Sequence, residues 1–154
     1  MRQIRVDEVF DPTENLCTIV DENEPFDRVV ARLSGQRQLR CVVVVDSEYK
    51  LRGVITRQII LRWAQMKLRG GVDEPSSDVM GLVRLAYGSS AGAVARPTPG
   101  IKLSDSIERA IQVMMDTDLI DMPVVDDDNH VLGDLRLSEI LSQMIDITEG
   151  GTEV

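Results

Sequence analysis

Residues 122–141 read Met-Pro-Val-Val-Asp-Asp-Asp-Asn-His-Val-Leu-Gly-Asp-Leu-Arg-Leu-Ser-Glu-Ile-Leu. Two short apolar runs, 122–125 and 131–135, flank a polar segment, and a helix-opening segment follows them. Asp and Asn tolerate the tight backbone of a turn, and apolar runs of this length are typical of buried strands. The stretch therefore predicts a strand, a turn, a second strand and a helix, in that order.

An earlier copy of this pattern occupies residues 42–61, Val-Val-Val-Val-Asp-Ser-Glu-Tyr-Lys-Leu-Arg-Gly-Val-Ile-Thr-Arg-Gln-Ile-Ile-Leu. Asp46 precedes Asp126 by 80 residues, and Gly53 precedes Gly133 by the same 80. Two landmarks at one spacing indicate an internal repeat, which determines how the rest of the chain is interpreted.

Helical periodicity completes each repeat. Apolar residues recur at helical spacing before the first strand pair and again before the second; these are Phe26, Val29, Val30 and Leu33, then Ile107, Ala110, Ile111 and Met114. Further helices are predicted over 57–68 and 137–147, short strands over 16–20 and 93–95, and a helix start at Asp105.

The predicted fold class is therefore α/β (α+β), with two β-α-β-β-α repeats packed sheet to sheet with pseudo-twofold symmetry. A unit of this size leaves the apolar face of its small sheet exposed, so a second copy is expected to cover it. We place the first repeat at 1–70, a linker at 71–92, the second repeat at 93–148 and a tail at 149–154.

Composition limits the classes of partner. The chain has 154 residues and a formal net charge of −9, which argues against nucleic acid or an anionic membrane as the main partner. Cys17 and Cys41 lack any metal-ligand spacing and are expected to be reduced core residues. No segment resembles a signal peptide or membrane span, so we expect a cytoplasmic protein without membrane insertion.

Catalytic and metal motifs are weak. Gly88-Ser-Ser-Ala-Gly92 matches a nucleophile pattern, but neither a preceding strand nor a following long helix is predicted around it. The turn at 126–129 lacks the glycine and glutamate of a calcium loop, and His130 has no second ligand at a metal spacing. The sequence thus predicts no enzyme, no metal site and no required cofactor.

The repeat resembles a known family. Pro123-Val-Val-Asp126, followed by Gly133 and a helix-opening segment, is similar to the core signature of cystathionine-β-synthase (CBS) domains. The tandem copies resemble a CBS pair, or Bateman module, over roughly 16–145. This resemblance implies a regulatory module that binds an adenosine-containing ligand in a cleft between the repeats. It also implies a homodimer, with AMP, ADP, ATP or S-adenosylmethionine as the ligand. Because no effector domain is visible in the sequence, we expect a separate effector protein to respond to the ligand.

The same resemblance assigns candidate site residues. In the family, the glycine is followed by two apolar residues, then Thr or Ser, and three positions later by an Asp that takes the ribose hydroxyls. The first repeat has Thr56 there, followed by Arg57, but Ile59 replaces the aspartate. The second repeat has Arg136, Ser138 and Glu139. Arg40 lies where some family members place basic residues that contact phosphate.

Structural roles compete with each ligand role. Thr56 is a good helix N-cap without any ligand, and Arg136 and Glu139 are spaced to form an i,i+3 ion pair. Arg40 and Arg57 could be solvated surface charges. We therefore expect either a nucleotide sensor, with Glu139 on the ribose and Arg136 near a phosphate, or a scaffold or dimerisation module whose nucleotide sites have degenerated.

Overall fold

A computed structural model of the chain describes residues 2–14, 17–37, 41–69 and 89–150, which form two compact units. The first-repeat unit extends from Thr18 to Thr98. The second-repeat unit combines the residues up to Cys17 with those from Pro99 onward. The boundaries predicted from the sequence divide the chain by its repeat pattern, whereas these two units are divided by how the chain packs. The predicted boundaries of the repeats and the linker therefore remain predictions.

The first-repeat unit has a three-stranded sheet. Its elements in chain order are β1 (Thr18–Asp21), α1 (Phe26–Ser34), β2 (Val42–Val45), β3 (Leu51–Ile55), α2 (Arg57–Arg69) and the short helix α3 (Ala91–Val94). Strand β2 lies in the centre, parallel to β1 and antiparallel to β3.

The second-repeat unit repeats this arrangement. Its elements are β4 (Ile101–Lys102), α4 (Ile107–Thr117), β5 (Asp121–Val125), β6 (Val131–Arg136) and α5 (Leu137–Gly150). Strand β5 is parallel to β4 and antiparallel to β6. The predicted α/β (α+β) class, with two β-α-β-β-α repeats, is confirmed.

The turn that joins β2 to β3 and the turn that joins β5 to β6 are held by the same set of side-chain hydrogen bonds. The Asp46 carboxylate accepts backbone N–H groups of Glu48 and Lys50 at 2.9 and 3.0 Å, and Asp126 accepts those of Asp128 and His130 at 2.9 and 2.8 Å. These bonds hold the pKa of both aspartates below its usual value, the N–H groups of Lys50 and His130 contributing most. Each turn also contains one residue with a left-handed backbone, Tyr49 in the first and Asn129 in the second.

Each sheet packs its helix-facing side into an apolar core. The first core includes Phe26, Val29, Leu33, Val42, Val44, Ile55 and Met66, and the second includes Ile101, Ala110, Val113, Met122, Val124, Leu135 and Ile140. The Phe26 ring meets the single tryptophan, Trp63, edge to face with ring centroids 6.4 Å apart. The predicted apolar faces of α1 and α4 thus build the cores.

Each repeat is completed by the segment that precedes the other repeat. In the second-repeat unit, Val6 is fully buried in the core and donates its backbone N–H to Asp105 at 2.8 Å. In the first-repeat unit, Ala91 is fully buried and donates its backbone N–H to Glu24 at 2.8 Å. The sequence pattern did not predict this exchange, because both segments are short and lack a clear period.

Two local predictions are wrong. Residues 93–95 were expected as a strand, but Ala93 and Val94 belong to α3, which Ser90 caps. Ser106 rather than Asp105 caps α4, because the Ser106 hydroxyl accepts the Arg109 N–H at 3.0 Å. Asp105 instead accepts the Lys102 N–H at 2.9 Å in the preceding turn.

Among the described residues, no helix has both the length and the apolar character that a membrane span requires. Most of the predicted linker at 71–92, including a short helix expected over 78–87, lies outside those residues.

Candidate functional site

The second-repeat candidate site lies at the junction of β6 and α5. Arg136 is the last residue of β6, and Glu139 lies in the first turn of α5. The Glu139 Oε1 atom accepts both the backbone N–H and the side-chain Nε–H of Arg136, each at 3.2 Å. The two side chains are 24% and 16% exposed, so this ion pair is only partly hydrated. The predicted i,i+3 pairing is therefore present.

Packing fixes the position of this junction. Ile140, one residue beyond Glu139, is fully buried in the core and ties the first turn of α5 to the sheet. The backbone N–H of Leu137 is bonded to the Ile120 carbonyl at 2.8 Å. Ser138 is exposed beside the pair. The structure thus brings Arg136, Ser138 and Glu139 together on one helix start, where backbone N–H groups favour an anion.

The first-repeat candidate site is different in chemistry. The Thr56 hydroxyl lies 3.4 Å from the backbone N of Ile59 and accepts its N–H, which is a helix N-cap. Ile59, at the position of the family aspartate, packs against the first core. Arg57 is exposed on the first turn of α2. This site therefore offers a hydroxyl and a surface cation but no carboxylate.

The two helix starts contain complementary halves of one capping arrangement. In a complete capping box, the side chain of the N-cap residue accepts the backbone N–H of the residue three positions later. The side chain of that later residue accepts the backbone N–H of the N-cap residue in return. Thr56 makes the first bond in its repeat, and Glu139 makes the second bond in the other. Helix capping accounts for both residue choices before any ligand is considered.

One predicted site residue, Arg40, lies outside the described residues. Asp134, which the sequence reasoning did not single out, is a carboxylate only 4% exposed on β6. Strand alternation places it on the same side of β6 as Arg136 and opposite to Leu135. The available signal was its position: a charged residue in an apolar strand, where the first repeat has Val54.

Cys17 contacts this buried aspartate. Both cysteines are free, and burial raises the pKa of the Cys17 thiol to about 12, helped by the negative charges of Asp134 and Asp121 and by a hydrogen bond to Asp134. Reaction with electrophiles requires the thiolate, so this environment makes Cys17 a poor nucleophile. The thiol is a structural group rather than a reactive one.

We expect iodoacetamide at pH 8 to alkylate Cys17 about thirtyfold more slowly in the folded protein than in guanidinium-unfolded protein. The raised pKa lowers the thiolate fraction by roughly 1,000-fold, and the greater nucleophilicity of a more basic thiolate offsets part of that loss. Peptide mass spectrometry separates Cys17 from Cys41. Equal rates in the two states would contradict the assigned environment.

The structure also groups Asp126, Asp128 and His130, whose possible ligand atoms lie within 4.8 Å of one another. The sequence spacing did not predict this proximity. His130 Nδ1 is 3.1 Å from the Asp126 carboxylate. The first repeat builds the same turn with Lys50 in place of His130, so turn formation explains the grouping.

The nucleophile-like pattern also has a structural explanation. Its central Ser90 accepts the Ala93 N–H at 3.4 Å as the cap of α3, a helix of 4 residues. The hydroxyl therefore serves local structure.

Comparison with known proteins places these observations in context. The CBS domain family matches residues 7–65 and 91–146, which together make up more than half of the chain. No curated protein sequence gives a significant match. Each matched range contains one of the two helix starts described above. Thr56 lies in the first range and Arg136 in the second.

Solved structures share the fold. CBSX2 of Arabidopsis thaliana in complex with AMP is 22% identical, with a TM-score of 0.69, covering 94% of this chain and 98% of that chain. A CBS domain-containing protein from Thermotoga maritima is 23% identical, with a TM-score of 0.70, covering 92% and 94%. The cytosolic domain of the Mg²⁺ channel MgtE, in complex with ATP, is 18% identical, with a TM-score of 0.57, covering 81% and 44%.

Proposed function

Because the chain belongs to the CBS domain family and carries two copies of that domain, we propose that it is a regulatory module that binds an adenosine nucleotide. The observation that carries the proposal is the half-buried Arg136 at the start of α5. A guanidinium held at the start of a helix is suited to a phosphate, which it binds through two parallel hydrogen bonds.

Two similar proteins support the choice of ligand class. CBSX2 has been solved with AMP and the MgtE cytosolic domain with ATP. At these identities the likeness concerns the fold, so the ligand of this chain has to follow from its own residues. Arg136 and Ser138 supply a cation and a hydroxyl at one helix start, and we assign the phosphate to them.

The first repeat would contribute less to binding. Ile59 cannot accept a hydrogen bond from ribose and packs on the core. Thr56 is already engaged as an N-cap. We therefore propose that the second repeat provides the main site, and that Arg40, Thr56 and Arg57 form at most a secondary site in the first repeat.

Regulation requires that the ligand bind two states of the protein with different affinity. In our proposal the nucleotide changes the arrangement of the repeats or of a homodimer, and a cytoplasmic effector protein responds to that change. No chemical step is assigned to the chain, because the serine of its one nucleophile-like pattern caps α3.

A thermal unfolding panel tests this function. The protein is heated with AMP, ADP, ATP, S-adenosylmethionine or GMP, each at about 1 mM. This concentration is about 100 times a dissociation constant on the order of 10 μM. A ligand that binds only the folded state at such an excess adds about 2.7 kcal/mol of stability, which raises the midpoint by several degrees. An increase with adenosine nucleotides and none with GMP is expected. Unchanged midpoints with every ligand would refute the proposal.

A scaffold or dimerisation module is the second candidate. The observation that favours it is that Thr56 and Glu139 both have complete structural roles as helix caps. Under this alternative, Arg136 and Glu139 contribute stability only, and no member of the panel shifts the unfolding midpoint.

A further inference from the structure

Helix α2 exposes an apolar face that its own core does not use. Leu61 and Leu68 lie about two helical turns apart and therefore on one side of the helix. They are 61% and 89% exposed, while Met66 on the other side is buried in the first core. Exposed apolar residues that stand alone need no explanation, but residues repeated along one face mark a contact surface.

Helix α5 has an equivalent face in the second-repeat unit. Its exposed apolar residues follow the i, i+3, i+4 spacing of one helix side; they are Leu141, Met144 and Ile145, each 45–56% exposed. Ile140, which packs in the second core, is fully buried. Both helices thus pack on their own sheets with one side and expose a second apolar side.

The charges on these two helices have opposite signs. Residues 57–69 of α2 contain no acidic residue, in a chain whose net charge is −9. They contain four basic residues, all exposed: Arg57, Arg62, Lys67 and Arg69. Residues 137–146 of α5 contain two acidic residues and no basic one. Of these two, Glu139 is paired with Arg136, and Asp146 is exposed directly after Ile145.

Charge determines which helices can meet across a dimer. Packing α2 on α2 of a second copy would bring two sets of four basic residues together at close range, and their repulsion opposes that contact. Packing α2 on α5 of a second copy covers both apolar faces and brings opposite charges together. A twofold dimer makes each such contact twice, so this one pairing covers both faces on both chains.

We propose that the chain forms a homodimer in which α2 of each copy packs on α5 of the other. The first repeat of one chain then contacts the second repeat of its partner. The contact is centred on Leu68, the most exposed apolar residue of α2, and Leu61 lies at its edge. The resemblance to CBS pairs implied a homodimer but left open which repeats pair. This inference goes beyond the proposed function, and no nucleotide is needed to test it.

Cross-linking between two cysteine variants of the full chain tests the pairing. Gln65→Cys adds a thiol between Leu61 and Leu68 on α2, and Ser142→Cys adds one beside the apolar side of α5; both positions are exposed. The variants are mixed at low concentration, concentrated and treated with a short bismaleimide, and mass spectrometry identifies the linked peptides. We expect 65–142 links to be at least about tenfold more abundant than 65–65 or 142–142 links, because thiols held close across the contact react fastest.

The control mixture contains Glu48→Cys in place of Ser142→Cys. Glu48 is exposed on the turn between β2 and β3, away from both helices, so no 65–48 link above background is expected. A majority of 65–65 or 142–142 links in the first mixture would show that like repeats pair, which overturns the inference.

An exchange of charges tests the same pairing through the dissociation constant of the dimer, measured by sedimentation equilibrium. Lys67→Glu and Asp146→Lys each place like charges across the contact, so each is expected to weaken the dimer at least about fivefold. Combining them restores opposite charges, and the dissociation constant is expected to return to within about threefold of the wild type. If like repeats paired, Lys67→Glu would relieve repulsion and tighten the dimer, which contradicts the proposal.

Leu68→Glu tests the apolar centre of the contact. Because Leu68 is 89% exposed in the single chain, the variant is expected to keep the circular dichroism spectrum of the wild type. The dimer should weaken at least about tenfold, since a charge is buried at its centre. A dimer of unchanged strength in this variant would overturn the inference, as would a wild-type protein that stays monomeric up to about 100 μM.

Discussion

Replacing Phe26 with alanine is expected to lower the free energy of unfolding by about 4 kcal/mol. Phe26 is fully buried in the first core and contacts the Trp63 ring edge to face. The substitution removes the buried ring and leaves a cavity that the surrounding core residues fill only in part. Removal of the aromatic pair adds to the loss.

Urea unfolding followed by Trp63 fluorescence measures this effect, because the single tryptophan lies in the same unit as Phe26. Leu61→Ala is the matched control: Leu61 is 61% exposed on α2, so its removal should change stability by less than about 1 kcal/mol. Similar losses in the two variants would show that Phe26 is not a core residue.

Gly53→Ala is the second large effect, with an expected loss of about 3 kcal/mol. A Cβ atom at this position would lie 2.5 Å from the Arg96 carbonyl oxygen and 2.9 Å from its carbon. Both atoms are backbone, and two hydrogen bonds between Val54 and Arg96, at 3.0 and 2.8 Å, hold that segment against β3. The new methyl group must displace the segment or bend the strand.

Gly35→Ala provides the control within the same unit. Gly35 follows α1 with an ordinary right-handed backbone, and the nearest atom to an added Cβ, the Arg32 carbonyl oxygen, is 3.9 Å away. Stability should stay unchanged or rise by about 0.5 kcal/mol, since alanine restricts the unfolded chain. A Gly53→Ala variant as stable as Gly35→Ala would contradict the close approach of Arg96.

The repeat made most of the fold predictable. Two short apolar strands around an Asp-containing turn, repeated 80 residues apart, predicted β2, β3, β5 and β6 to within one residue at each end. The apolar spacing from Phe26 to Leu33 predicted α1 for the same reason, because periodic burial is strongly encoded in sequence. Strand order and direction agree between the repeats.

The exchange of leading segments could not be predicted in the same way. Val6 completes the second core from nearly 100 residues away in sequence, through backbone hydrogen bonds that no side-chain pattern encodes. The cap of α4 was misplaced by one residue because Asp105 and Ser106 are both good cap residues. Tertiary context decides between them.

The candidate site was predictable in position but not in geometry. The motif placed Arg136 and Glu139 at a helix start, and their spacing allowed either an ion pair or two separate ligand contacts. The structure contains the pair, and it shows that one carboxylate oxygen accepts both bonds. That detail depends on side-chain rotamers and on the burial of Ile140, neither of which the motif specifies.

The central claim, that this CBS pair binds an adenosine nucleotide through the start of α5, is tested most directly by titrating AMP into the wild-type protein and Arg136→Ala in parallel. The account predicts saturable binding to the wild type, with one nucleotide per chain, and at least about tenfold weaker binding to the variant, because the fixed guanidinium supplies charged hydrogen bonds to the phosphate. Equal affinity in the two proteins would place the nucleotide elsewhere. Heat of dilution alone in both would leave the chain as a structural module.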